Sequence, residues 1–534
     1  MRNVVLRTPL LLVLASALLA GCMNHELSTE LPGGVATLAA FSVGCDADEG
    51  VRVTALIGAI TNANTNPGAN VIDLAPGCTY TLTTVNNADG GEGSNGLPVV
   101  TGELSINGNG ATIQRSSAAD TPPFRIFFFD RGSTVVISGL TVSNGTDEEG
   151  FGGGGAFAFG PLTVMNSTFS SNVSSGNGGG ILSPEAELLT VTNSTFSGNS
   201  GSVGGGITSG NLVVANSAFI GNSAMVGGAI RAAGNMGSAL VVNSTFSGNS
   251  AENDGGAISS QTGLLVTNST FYRNHAREGG GIATDGLFGA SVRNSILFDS
   301  SCSGSTLSDG GLNLDSGATC VVSDANGSLS VTDPLLGPLQ DNGGPTKTHA
   351  LLTGSPAIDR IPVVDGTCNG TGVTVDQRGI SRPQGTACDI GAFEVEVEVE
   401  RPLDIQRPSI KIEQVLISDA TRAGMAEGSF VIRNASGGED TLVTLGDVTV
   451  TFRSDGRRVR TWHTATCDVT PLATGYELDP AEAKTFTYAC HAFVPAIPST
   501  AGEATAVVTV AEMWNQLGEH RNGPPRTTSE PFRF

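Results

Sequence analysis

Apolar and polar residues alternate with period two in a series of short runs between Leu162 and Val292, the mark of strands with one buried face. Each run has a Val two positions before an Asn: Val164, Val191, Val214, Val241, Val266 and Val292. Leu162, Leu189, Leu212 and Leu264 lie two further back. The Asn opens a repeated phrase, Asn-Ser-Thr-Phe-Ser-Gly-Asn-Ser, at Asn166, Asn193, Asn216, Asn243, Asn268 and, degraded, Asn294. Successive steps are 27, 23, 27, 25 and 26 residues. A drifting period of this size predicts a solenoid of stacked units. The phrase also aligns Phe169, Phe196, Phe219, Phe246 and Phe271.

A second phrase runs out of step with the first: Gly178-Gly179-Gly180-Ile181, Gly204-Gly205-Gly206-Ile207, Gly227-Gly228-Ala229-Ile230, Gly255-Gly256-Ala257-Ile258 and Gly279-Gly280-Gly281-Ile282. The pattern predicts two short strands, one Gly-rich turn and one Asn-rich turn per unit. The physical reading is a parallel β-helix with strands ~4.8 Å apart, so that equivalent side chains stack on themselves. Stacked Phe pairs add ~0.5–1.5 kcal/mol each beyond area burial. Turn Asn residues tolerate positive φ and pass hydrogen bonds along the stack.

These phrases resemble those of pectin-lyase-like right-handed β-helices and of bacterial polymorphic outer-membrane and adhesin-type proteins. The resemblance implies the hand, which spacing alone does not set. Upstream, Val53, Leu56, Ile57 and Ile60 form an i, i+3, i+4, i+7 face, which predicts a helix capping the open end of the solenoid. Downstream, Asp333-Pro334-Leu335-Leu336 through Asn342-Gly343-Gly344, Gly354-Ser355-Pro356-Ala357-Ile358-Asp359, Asp376-Gln377-Arg378-Gly379 and Cys388-Asp389-Ile390-Gly391-Ala392-Phe393-Glu394 resemble the choice-of-anchor Q region of bacterial surface proteins. Their Asp, Arg and Gly residues read as turn and cap chemistry for the last coils. Alternating runs between Ile410 and Val510 predict an antiparallel, Ig-like β-sandwich. The fold class is therefore all-β: a right-handed parallel β-helix with a cap helix, then a small sandwich. The expected boundaries are 1–22 signal peptide, 23–40 tether, 41–332 β-helix with cap, 333–394 end region, 395–402 linker and 403–534 sandwich.

Composition narrows the function. The net charge is −23, with only three Lys. An acidic chain with no basic stripe excludes nucleic acid as a partner. Arg2, Arg7 and the apolar stretch Pro9–Ala20 form an export signal. It ends Leu19-Ala20-Gly21-Cys22, which resembles a bacterial lipobox and implies lipidation at Cys22. Met23 follows, and the absence of Asp there implies outer-membrane retention. Eight further cysteines, Cys45, Cys78, Cys302, Cys320, Cys368, Cys388, Cys467 and Cys490, fall in sequential pairs. In an exported chain they read as disulfides whose connectivity spacing leaves open. The metal alternative, from His463, His491 and His520 beside Cys467 and Cys490, lacks a zinc-type spacing.

The expected role is a non-catalytic surface lipoprotein that needs no cofactor, tethered by its lipid and presenting a polar face to polysaccharide or a cell-surface ligand. The alternative is a polysaccharide lyase of the pectate-lyase type, or a glycoside hydrolase. Its candidate residues are Arg273, His275, Arg277 and Glu278, with Asp147, Glu148 and Glu149 as Ca²⁺ ligands. Both groups also read as solvated turns. The carboxylates Asp254, Glu278 and Asp285 offer no convincing pair for glycoside hydrolysis. The Asn-Ser-Thr triplets match glycosylation sites in form, but their fit to the repeat makes them stacking positions.

Overall fold

The computed structural model describes residues 39–396, apart from 90–92, 235–236, 287, 321–325, 365–366 and 369, together with the strands of residues 403–533. Cys22, the expected signal sequence and most of the expected tether lie outside the described residues. The chain divides into two compact units, residues 1–396 and 397–534.

The first unit opens with the strand Ala39–Val43 and the helix Glu49–Thr65. The Asp48 carboxylate caps the helix by accepting from the amides of Gly50 at 2.8 Å and Val51 at 3.4 Å, donors that otherwise lack a partner. Leu56, Ala59, Ile60 and Ala63 are buried. Val53 and Ile57, expected on that face, are only partly buried. The helix is rolled toward its small Ala edge, where Ala59 and Ala63 allow close approach to the strands Ala39–Val43, Asn70–Leu74 and Thr79–Leu82.

A parallel solenoid of about nine turns follows. The Val column is in register from Val164 through Val191, Val214, Val241 and Val266 to Val292. The Phe column stacks at ring separations of 5.2, 5.1, 4.9 and 4.8 Å, with planes within 11° of parallel. A third column runs Ile181, Ile207, Ile230, Ile258 and Ile282. The Gly phrase is thus both a turn and the opening of a third strand, where two strands per coil were expected. The third strand is only three residues long in most coils, too short to show alternation. Its glycines are forced by close approach: a Cβ on Gly205 would lie 2.3 Å from the Gly228 carbonyl oxygen and 2.4 Å from that of Ser223.

The two Asn of the phrase have different jobs. The first, in the Asn-Ser-Thr triplet, sits at φ of 46–52° in each of the six copies and makes the turn. The second is fully buried and forms the ladder. Asn172, Asn199, Asn222 and Asn249 each donate a side-chain amide to the side-chain carbonyl of the next, ending on Asn274, at 2.9–3.0 Å. Ser167, Ser194, Ser217, Ser244 and Ser269 form a parallel ladder, in which each hydroxyl accepts the backbone amide of the equivalent Ser one coil before, or of Leu140 in the case of Ser167.

From Asp333 the chain leaves the coils and returns as a strap. Its hairpin, Leu336–Gln340 with Thr348–Leu351, is antiparallel. The strap lies on the outer face of the Phe-bearing strands in the later coils. Disulfides join Cys45 to Cys78, Cys302 to Cys320 and Cys368 to Cys388. The second unit is antiparallel, with strands in an eight-stranded and a four-stranded sheet. Its longest pairing joins Thr421–Asn434 to Ala483–Pro495, and Cys467 stands opposite Cys490 in the ladder of strands.

Phe219, flanked by Phe196 and Phe246 and without exposure, tests the stacking. Phe219→Ala is expected to cost ~3–5 kcal/mol, with hydrogen exchange accelerating in the adjoining coils, because a solenoid passes stability between neighbours. Ser223→Ala, at an outward position, should stay within about ±0.5 kcal/mol. Equal losses from the two changes would mean that the inward positions are misassigned.

Candidate functional site

The turn edge after the buried Asn ladder carries an outward row: Thr146, Val173, Ser200, Ser223, Ser250 and His275, each paired with the next. The following residue is small: Ser174, Ala224 and Ala251 are buried, and Gly201 has no side chain. The residue after that turns out again, as Ser202, Met225 and Glu252. Two rails with a floor of small residues make an open trough along the solenoid axis, about 470 Å³ in volume. Glycine, alanine and serine in the floor are what allow a depression on an otherwise flat stack. Ser223 donates to Ser200 across the coils at 3.2 Å, so the rail is a hydroxyl row. Met225 is 44% exposed and adds one apolar side chain to the opposite rail.

The residues singled out for chemistry lie at opposite ends of this edge. Asp147 pairs with Ser174 at one end, and His275 pairs with Ser250 at the other. Five coil steps separate Thr146 from His275, roughly 24 Å at ~4.8 Å per step, so the two groups do not converge. Asp147 is buried and fully engaged: it lies 3.6 Å from Arg125 and accepts from Gly152 N at 2.7 Å and the Ser174 hydroxyl at 2.8 Å. Glu149 accepts from the Ser94 hydroxyl at 3.0 Å, and Glu148 is exposed. One Asp147 oxygen therefore holds both Gly152 of the glycine loop and Ser174, while the other faces the Arg125 guanidinium. Arg273, His275, Arg277 and Glu278 are all exposed on one turn. The Arg273 guanidinium lies over the Tyr272 ring at 5.0 Å, and Glu278 aligns with Asp254 of the preceding coil. Among the described residues no three His, Cys, Asp or Glu side chains are placed to hold a metal ion.

Buried polar chemistry that the sequence did not reveal lies under the strap. His349 bonds Ser247 Oγ at 3.0 Å and the Gly337 carbonyl at 2.8 Å, and its ring centre is 4.1 Å from that of Tyr272. Burial lowers its pKa. Farther along, Arg382 pairs with Glu394 at 2.9 Å and Arg378 with Asp376 at 2.8 Å, while Arg378 also stacks on Phe393 at 3.7 Å. Burial pushes the Glu394 carboxyl up to about 6, against the pull of Arg382. Asp389 is raised for the same reason. The motif Asp376-Gln377-Arg378-Gly379 signalled turn chemistry. That its charges meet those of Asp389 and Glu394 in one buried cluster is visible only in three dimensions.

A model of the Chlamydia polymorphic membrane protein repeat matches residues 166–184 and 243–261, each a phrase with its Gly turn. Among solved structures, the chain is similar to the pectate lyase Pel9A at 14% identity, covering 68% of this chain and 97% of that one, with a TM-score of 0.38. A putative ApaA protein from Bordetella pertussis is similar at 15% identity over 24% of this chain and 93% of its own, with a TM-score of 0.16. A Northeast Structural Genomics Consortium target is similar at 12% identity, over 24% and 87%, with a TM-score of 0.17. No curated protein matches the chain by sequence.

The strap's carboxyl cluster generates a pH dependence. Glu394 keeps its proton to about pH 6 in the folded chain, against an ordinary value of 4.5. As pH rises through that window the unfolded chain ionises first, so stability is lost, and below it the two states bind the proton alike. His349, with its lowered pKa, acts in the opposite sense: its contribution is lost as pH falls below 6.5. The difference between the wild type and Glu394→Gln isolates the carboxyl. That difference in unfolding midpoint should widen as pH is lowered from about 6 to 4.5 and level off outside that range. A constant difference would remove the assigned shift.

Proposed function

We propose that the protein is an exported lipoprotein, anchored through Cys22, whose β-helix serves as a non-catalytic adhesion module at the cell surface. The trough from Ser174 to Glu252 is the ligand contact, and the ligand is a glycan. The observation that carries this reading is the trough itself: a rail of the Ser200, Ser223 and Ser250 hydroxyls in three successive coils beside a row of small residues, open along its length. A ligand with a regular repeat of hydroxyls matches a wall with the same property. The separation of Asp147 from His275, and the exposure of all four residues of the 273–278 turn, support binding over catalysis. The two matches to a polymorphic membrane protein repeat support placement at the outer surface, as does the lipobox resemblance at Leu19–Cys22.

Two experiments test this. Cys22→Ala should move the protein from the membrane fraction to the soluble exported fraction, and unchanged membrane partitioning would remove the anchor. On a panel of soluble and insoluble polysaccharides the wild type should bind at least one, and Ser223→Tyr, which fills the trough, should abolish that binding. Retained binding by the Tyr variant would place the ligand elsewhere. A rise in unsaturated-product absorbance on a polyuronate would establish a lyase instead.

A further inference from the structure

The outward face of the Phe-bearing strands carries two side-chain rows, distinct from the trough. One runs Thr168, Thr195, Ala218, Thr245 and Thr270. The other runs Ser170, Ser197, Ile220, Ser247 and Tyr272. The strap covers only the later part of this face. There, Asn243 Nδ2 donates to the Val375 carbonyl at 2.8 Å, and Thr245 Oγ1 donates to the Gln377 carboxamide at 2.6 Å. Ser247 Oγ bonds His349 Nε2 at 3.0 Å, and the Ala392 amide donates to Thr270 Oγ1 at 3.0 Å.

Two coils earlier the same residue types stand in the same register, and among the described residues no strap segment bonds to them. Asn193, Thr195 and Ser197 repeat Asn243, Thr245 and Ser247, and Asn166, Thr168 and Ser170 repeat them again. Among the described residues these six make no side-chain hydrogen bond, and all are at least partly exposed. Between the covered and open parts, Ala218 and Ile220 interrupt both hydroxyl rows. The strap ends at this break, where Thr346 Oγ1 donates to the Asn216 carbonyl at 3.1 Å.

We propose that the open rungs at Asn166–Ser170 and Asn193–Ser197 are a docking surface for a turn-forming peptide segment of a partner protein, shaped as the strap is where Val375 pairs with Ser381. The segment brings a main-chain carbonyl and, two residues on, a carboxamide side chain, as Val375 and Gln377 do within this chain. The occupant is a peptide because the covered part of the same face is bonded by peptide groups and their side chains. It comes from another protein because this chain's own Val375 and Gln377 are already engaged two coils away. Asn193 donates to the carbonyl, Thr195 donates to the carboxamide, and Ser197 stands ready for a third group, so specificity lies in the spacing of acceptors along the segment.

The test uses the full chain and a fluorescent peptide copying residues 371–381, followed by anisotropy. Saturable binding is expected. Thr168→Val with Thr195→Val should weaken it by about fivefold per hydroxyl removed, the usual effect of one hydrogen bond. Thr195→Ser, which keeps the hydroxyl, should bind as the wild type does and controls for the fold. Absence of saturable binding would overturn the proposal. So would a loss caused by Thr245→Val with no effect at Thr168 and Thr195, since the peptide would then be replacing the strap. Displacement of the peptide by a soluble polysaccharide would assign these rungs to a glycan.

Discussion

The structure depends on one constraint: a polar group enclosed by the coils has no water, so its partner must be supplied by the neighbouring coil. Asn222 shows how completely this is met. Its amide donates to Asn249 Oδ1 and to the Phe196 carbonyl, and its own Oδ1 accepts from the amide and side chain of Asn199. Every rung is both donor and acceptor, so the ladder also sets register. A slip by one residue would break it and turn the Phe column outward. Where the repeat degrades, the ladder ends on groups that still satisfy it. Asn274 passes to Ser300 Oγ at 3.3 Å, and Asn172 Oδ1 is filled by the Gly145 amide at 3.0 Å.

The strap has no identical neighbour to copy, and its chemistry changes accordingly. In place of neutral amide ladders it uses charge pairs that occur once, Arg378 with Asp376 and Arg382 with Glu394. Buried ions are costly unless paired and hydrogen-bonded. Here Arg382 also donates to the carbonyls of Asp389 and Gly391 at 2.8 and 2.7 Å, while Glu394 accepts from the amides of Gln384 and Asp389 at 3.0 and 2.9 Å. Misplacing any one partner strands a charge, so the arrangement tolerates few alternatives.

The columns were legible in sequence because stacking converts a spatial neighbour into a residue about 25 positions away. Val, Phe and the two phrases therefore announced the β-helix, and the helix face around Leu56 announced the cap. Three things were not legible. The third strand is too short to alternate. The difference between turn Asn and ladder Asn depends on φ, which composition does not carry. The docking of the strap joins residues 132 apart, a separation with no periodic trace. The trough was hidden for another reason. Apart from Met225 and Glu252 its lining is Ser, Gly and Ala, which carry no signal of chemistry, whereas the charged residues that drew notice stand at its ends.

Selective covering is what makes the two ends of this regular object different. Toward the N-terminal end, the outward side of the third strand column is closed by its own aromatic cluster of Phe128, Phe157 and Phe159, with the Arg125 guanidinium 5.1 Å from the Phe157 ring. Toward the C-terminal end, the strap closes the face of the Phe-bearing strands over Thr245, Ser247 and Thr270. A bare solenoid would offer the same rows over its whole length and bind with no preferred position. On the Phe-bearing strands the strap leaves the hydroxyl rows open only in the coils before Ala218 and Ile220. The finite open stretch therefore arises from the strap laid over the later coils and from Ala218 and Ile220, which break the rows of the repeat itself.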